Sequence, residues 1–263
     1  MPAPAHKTAP PALFNLVKDT PLVILLVLAV GVGPVSAAFP AMGAPDGSQA
    51  GPGSSHPRRT YSTRFLRTED PISEGGNWEC GKSVGLDWAD VATAPGLAYG
   101  LESGAGGFDD STALLTGTWG PDQTAQATVR RAGQGDEVGA EVELRLRSSL
   151  SAHSATGYEI NFRCAKSKDA YVEIVRWNGP LGNFSYLVHN QGAQFGVSDG
   201  DIVKATMFGN VITVFLNGLR VAQATDDTYA TGRPGIGFYL RGSVGTGVNR
   251  NYGFSSFTAT EGR

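Results

Sequence analysis

Five side chains that can donate or accept hydrogen bonds in pairs, Glu143, Arg145, Glu159, Asn161 and Arg163, sit at alternate positions of two consecutive stretches. These are residues 140–150 (AEVELRLRSSL) and 157–164 (GYEINFRC). A period of two is the signature of a strand, not of a helix. It places Val142, Leu144 and Leu146 on one side of the first stretch, and Glu141, Glu143, Arg145 and Arg147 on the other. In the second stretch it sets Tyr158, Ile160 and Phe162 against Glu159, Asn161 and Arg163. Successive strands usually pair antiparallel, so the polar sides are expected to merge into one sheet surface. Carboxylates, an amide and guanidiniums on such a surface suit the hydroxyls of a sugar, and aromatic rings stack on sugar faces. Trp177 joins the candidate ligand-binding set on that ground, with Trp119 and Tyr186 as further stacking rings. The planar fork of arginine also suits a uronate carboxylate, so acidic glycans are expected over neutral ones. The competing reading is plain: cross-strand charge pairs solubilise an outer sheet, and Trp177 caps the core.

Other chemistries find less support. No catalytic residues are assigned, and binding ranks above catalysis. Two cysteines (Cys80, Cys164) and four histidines (His6, His56, His153, His189) at unrelated spacings do not make a zinc site. The cysteine pair is compatible with one disulfide and equally with two separate thiols, because geometry decides and spacing does not. Asp109-Asp110 and Asp226-Asp227 are acidic pairs in loops. They leave room for a calcium ion, which needs several oxygens from convergent loops, but acidic turns are the more usual explanation. The Gly-rich run at 104–107 lacks the strand-then-helix setting of a phosphate loop.

Strands must position these residues. Beyond the two stretches above, strand patterns appear at 123–130, 170–177, 184–189, 201–208, 211–216, 219–224, 236–241 and 252–260. Asn217-Gly218 between two of them is the strongest hairpin signal in the chain. No stretch after residue 37 has a period of 3.6, and the chain carries 36 glycines among its turns. The expected fold is all-β, a two-sheet antiparallel jelly-roll sandwich over 60–262. Residues 38–59, rich in Gly, Pro, Ser and Ala, read as a flexible linker. Residues 1–37 read as a secretory signal: Lys7 and Lys18, the apolar run PLVILLVLAVGV at 21–32, then Val35-Ser36-Ala37 as a small-residue cleavage site. An uncleaved membrane anchor is the alternative, although the run is shorter than the about 20 residues that a span needs. The protein is thus expected to be secreted or at the cell surface. Without Lys7, Lys18 and Asp19 the net charge of -3 becomes -4, and no basic cluster remains to neutralise phosphates, which excludes nucleic acid as partner.

Three stretches resemble the concanavalin A-like lectin/glucanase superfamily, in particular its laminin-G-like bacterial modules. Gly200-Asp201-Ile202-Val203-Lys204-Ala205 followed by Val211-Ile212-Thr213-Val214-Phe215-Leu216-Asn217-Gly218 is similar to its penultimate strands. Gly235-Ile236-Gly237-Phe238-Tyr239 resembles the strand after them, and Gly253-Phe254-Ser255-Ser256-Phe257 the closing strand. The resemblance implies a jelly roll, and function classes that include lectins, glycan-binding modules, glycosidases, lyases and adhesion domains. Retaining glucanases of that superfamily carry an E-x-D-x-x-E strand, which is absent here. Its lyases need Arg, Asn or Gln, His and Tyr on the concave sheet. Those residue types occur here at Arg145, Arg163, Asn161, His189, Tyr158 and Tyr239, without the linear motifs. The expectation is a carbohydrate-binding or adhesion module whose partner is a polysaccharide or other glycan, with calcium as the one cofactor to consider. The alternatives are a polysaccharide-degrading enzyme and a structural surface domain without a small ligand.

Overall fold

The computed structural model describes residues 58–103, 110–132, 139–240 and 248–262. The signal segment, most of the linker and Asp109 lie outside the described residues. Fifteen strands are described: β1 (Thr60–Thr63), β2 (Trp78–Cys80), β3 (Val91–Ala94), β4 (Leu97–Gly100), β5 (Ser111–Leu115), β6 (Gln123–Arg131), β7 (Glu141–Ser151), β8 (Ser154–Arg163), β9 (Tyr171–Gly179), β10 (Phe184–Gln191), β11 (Ile202–Phe208), β12 (Val211–Leu216), β13 (Leu219–Thr225), β14 (Arg233–Tyr239) and β15 (Tyr252–Glu261). Among the described residues the only helices are three single turns of 3-10 type. The first five strands have three to five residues each, too short for an alternating pattern to be legible in the sequence.

Two sheets form the sandwich. One has the order β13-β12-β11-β6-β15-β4-β3, with β1 also paired to β15; the other runs β10-β9-β8-β7-β14-β5-β2. The core lies between them. Val142, Leu144, Leu146, Ile160, Phe162, Val214, Leu216 and Phe238, the inward residues the alternation picks out, are all buried in it. Phe238 of one sheet meets Phe254 of the other with ring centroids 5.3 Å apart. Four of the seven strands in the second sheet, β7 to β10, follow one another as antiparallel neighbours, which gives a continuous surface on its outer face.

Two further expectations resolve here. Asn217 and Gly218 both have positive φ, 51° and 81°, as a type I′ hairpin demands. Gly218→Val should therefore lose about 1–2 kcal/mol through backbone strain alone, since a Cβ there meets nothing within 4 Å. A urea midpoint unchanged by the substitution would contradict that account. Cys80 and Cys164 are separate buried thiols. Burial pushes the Cys80 thiol up to about 12 and raises that of Cys164 as well, so both stay protonated and unreactive.

Candidate functional site

The pairing of β7 with β8 sets Glu141 opposite Arg163, Glu143 opposite Asn161 and Arg145 opposite Glu159. The five polar residues singled out by alternation thus share one sheet face. Register extends the face across neighbouring strands. Asn161 lies opposite Glu173 on β9, and Glu173 opposite His189 on β10. On the other side Glu143 lies opposite Gly237 of β14, and Gly237 opposite Thr112 of β5. Gly237 is required here for space: a Cβ would fall on Glu143 Oε2 and 2.9 Å from Arg145 Nη2. The missing side chain lets the Glu143–Arg145 pair lie flat over β14.

Arg145 is the hub. Its Nη1 is 2.6 Å from Glu159 Oε2, and its Nη2 is 2.5 Å from Glu143 Oε2 and 3.4 Å from Asp110 Oδ2. Its guanidinium also lies over the Trp88 ring, 5.0 Å from the centroid. Glu159 further accepts from Trp177 Nε1 at 2.5 Å and from Asn161 Nδ2 at 3.1 Å. Asn161 Nδ2 also donates to Glu173 Oε2 at 3.0 Å, and Glu173 Oε1 holds His189 Nδ1 at 2.5 Å. A continuous polar chain therefore runs from His189 on the edge strand β10 to Asp110, just before β5. At its flank Tyr171 donates its hydroxyl to Glu141, and Arg163 lies 6.0 Å from the Tyr171 ring.

The face is not the solvated surface that its polarity suggests. Glu143 is 1 % exposed, Arg145 and Glu159 are 3 %, and Asn161 is 4 %. Asp110, Glu141 and Glu173 are buried as well, while Arg163 is half-buried. Burial has the expected electrostatic result. Desolvation, reinforced by Glu159, holds the Asp110 and Glu143 carboxyls well above the usual range, although Arg145 opposes it. Desolvation raises Glu141 to about 8, against the Tyr171 hydrogen bond, and it raises Glu173 too. For Arg145 burial works against the charge, but Glu159, Glu143 and Asp110 outweigh it and raise its pKa.

The aromatic residues are rearranged relative to expectation. Trp119 is not a stacking ring: it is buried in the core under the Arg59 guanidinium, 4.3 Å from its centroid. Trp177 is buried too, packed on Trp88 at 4.4 Å and Phe184 at 5.0 Å, and acts by fixing Glu159. All four tryptophans are buried. Tyr186 is the ring left 57 % exposed, and it continues the row beyond Phe184 at 5.2 Å. Arg147 leaves the polar face altogether. A bulge between Leu146 and Ser149, with φ 45° at Arg147, turns its side chain to the carbonyls of Pro121, Gly209 and Tyr229, where it ties loops at the end of the sandwich. Tyr158 faces the core, and its hydroxyl binds Asp226 Oδ1, as do the Thr228 amide and, through Oδ2, Arg176. Sequence reasoning missed Trp88, Thr112 and Glu173 as members of the site, and it read Asp110 only as part of a loop pair. Glu173 alone was within reach of it, since residues 170–177 continue the alternation of the two strands before them.

Calcium does not fit this cluster. Asp110, Glu143 and Glu159 have carboxylate oxygens within 4.8 Å of one another. Calcium, however, wants about 6–8 oxygens at about 2.3–2.6 Å, and the Arg145 guanidinium, which cannot lose its proton, already bridges all three. Asp226 is likewise engaged by Tyr158, Thr228 and Arg176.

Five buried polar atoms of this region find no partner among the described residues: Trp88 Nε1, Thr112 Oγ1, Glu143 Oε1, Arg145 Nε and Asn161 Oδ1. Buried polar groups are nearly always satisfied, and here a set of unsatisfied ones converges on one face.

No protein-family model matches the chain, and no curated protein matches it. Solved structures do. The exoplasmic/lumenal domain of VIP36, in a Ca2+/Man3GlcNAc-bound form, is 11 % identical, with a TM-score of 0.51 over 77 % of this chain and 91 % of that one. The carbohydrate-binding module CBM66 from Bacillus subtilis is 18 % identical over 73 % of this chain and 96 % of that one, with a TM-score of 0.45. The κ-carrageenase zobellia_236 from Zobellia galactanivorans is 11 % identical over 80 % and 98 %, at 0.46. With two antiparallel sheets in this strand order and the likeness to the VIP36 domain, the described residues have the concanavalin A-like jelly-roll fold.

Proposed function

We propose that the chain is a carbohydrate-binding module that holds a glycan on the polar face of β7 to β10, β14 and β5. The observation that carries this reading is the set of unpartnered buried atoms. Trp88 Nε1 and Arg145 Nε are donors, Glu143 Oε1 and Asn161 Oδ1 are acceptors, and Thr112 Oγ1 is both. A sugar hydroxyl donates and accepts at one oxygen, so it matches a mixed set of this kind. A cluster built only for stability would have closed these bonds within itself. Tyr186, exposed at the outer end of the aromatic row, supplies a stacking surface.

Thr112→Val separates the binding and structural readings. The change keeps the shape and removes a buried hydroxyl that has no partner among the described residues. It should leave the thermal midpoint unchanged or higher, and weaken glycan binding by about 1–3 kcal/mol. A lower midpoint with unchanged affinity would favour the structural reading. The ligand itself comes from a glycan-array screen of the purified chain, with and without chelator. Because Arg145 fills the place of a cation, chelation should leave binding unaltered. Failure to bind any glycan would remove the proposal.

A hydrolase reading keeps one observation in its favour. The Asp110, Glu143 and Glu159 carboxyls lie within 4.8 Å of one another, close to the about 5–5.5 Å of retaining glycosidases. Arg145 ties one oxygen of each, which opposes a nucleophile's need for a free lone pair. Release of new reducing ends from a bound polysaccharide would establish the activity. We further propose export through residues 1–37. N-terminal sequencing of protein from the medium should start at or near Ala38, whereas membrane-bound protein starting at Met1 or Pro2 would indicate an anchor.

A further inference from the structure

We infer that the glycan this face prefers carries a protonated amino group, as glucosamine or galactosamine units do, and not a carboxylate. The inference rests on the glycan-binding reading above. Among the described residues the face holds five carboxyls, Asp110, Glu141, Glu143, Glu159 and Glu173, against the guanidiniums of Arg145 and Arg163. Both terminal nitrogens of Arg145 are already taken by carboxylates, so Arg145 offers no fork to a uronate. A uronate brought to this face would add a sixth carboxyl to a cluster in which desolvation, reinforced by repulsion from Glu159, already holds Asp110 and Glu143 above their usual range. The charge balance thus points away from the acidic glycans that isolated arginines in the sequence suggest.

The unpartnered atoms sort by row in the same sense. Thr112, Gly237, Glu143 and Asn161 form one transverse row of the sheet. The row offers three unpartnered acceptors, Thr112 Oγ1, Glu143 Oε1 and Asn161 Oδ1, and Gly237 contributes no side chain between the first two. An ammonium group has three N–H donors and no acceptor, which complements three acceptors beside an excess of carboxyls that can ionise against it. The unpartnered donors, Trp88 Nε1 and Arg145 Nε, belong to side chains outside this row and remain for neighbouring hydroxyls. Tyr186 and Tyr171 at the edge add ring faces that attract a cation.

The test is titration calorimetry on the full chain with three oligosaccharides of equal length: glucosamine oligomers, their N-acetylated counterparts and galacturonate oligomers, in mildly acidic buffer that keeps the amine charged. The glucosamine oligomers should bind at least about tenfold tighter than the acetylated ones, the effect of one charge-assisted hydrogen bond, and the galacturonates weakest of all. Binding of the amine should also release protons from the raised carboxyls, read as an enthalpy that changes with the buffer's ionisation heat, a measurement that needs no variant. Glu143→Gln should erase most of the discrimination. Acetylated or uronate oligomers binding as tightly as the aminated ones would overturn this inference and leave glycan binding standing. No binding by any of the three, nor by any glycan on an array, would overturn both.

Discussion

Phe162→Ala should lower the free energy of unfolding by about 3–5 kcal/mol, the loss typical of deleting a buried ring together with the cavity it leaves. Phe162 is fully buried, and its strand is held in register on both sides, by Val142 of β7 and Val172 of β9. Its ring projects between the sheets into the cluster that contains Ile160, Val203 and Phe238. Neither neighbouring strand can close the void without breaking ladder hydrogen bonds, so relaxation recovers little. Urea denaturation of variant and parent measures the difference. A loss under about 1 kcal/mol would mean that the inner and outer sides of β8 are exchanged, and the whole polar face with them.

That inner-and-outer assignment is the part of the molecule most legible in the sequence. Alternation in residues 140–150 and 157–164 identifies both strands, their pairing and the residues that share a face. The turn chemistry of Asn217-Gly218 identifies the hairpin. What alternation does not convey is depth. Glu143, Arg145, Glu159 and Asn161 have the composition of a wet outer face, yet all are buried, because polarity states which side of a strand a residue takes and not what covers that side. Trp88, and the place of Asp110 beside Arg145, escaped notice for another reason. They precede β5 or lie between short elements, and only the folded chain brings them to Arg145. Arg147 shows the limit of strict periodicity: one bulge sends it to the end of the sandwich, away from residues two and four positions earlier. The role of Gly237 is equally invisible beforehand, since its value lies in the side chain it leaves out beneath Glu143.

Arg145→Met should destabilise the domain by about 3–5 kcal/mol at neutral pH, the usual result of removing one partner from a buried ionic cluster. Replacing the entire cluster by apolar residues can be neutral. Removing the arginine alone leaves Asp110, Glu143 and Glu159 without the cation that bridges them. The loss should depend on pH, and its sign follows from the carboxyls. Burial holds Asp110, Glu143 and Glu173 above their ordinary range and raises Glu141 to about 8. A carboxyl whose folded pKa exceeds its unfolded one contributes stability that is complete below the unfolded value and is lost as pH rises through the folded one. The parent should therefore lose stability from the ordinary carboxylate range up to about pH 8. Asp201 and Asp226 act in the opposite sense. Burial is outweighed at Asp201 by bonds from Asn217 and the Ser198 amide, and at Asp226 by bonds from Tyr158 and Thr228. Their contribution is lost as pH falls, and it cancels when variant and parent are compared at the same pH. In Arg145→Met the Asp110 and Glu143 carboxyls lose their counter-charge and rise further, so the gap between variant and parent should be small in acid and widen towards pH 8. Urea unfolding of both proteins at acidic and mildly alkaline pH reads that gap. A gap that stays constant with pH, or a variant as stable as the parent throughout, would show that Arg145 does not carry the charge balance of this face.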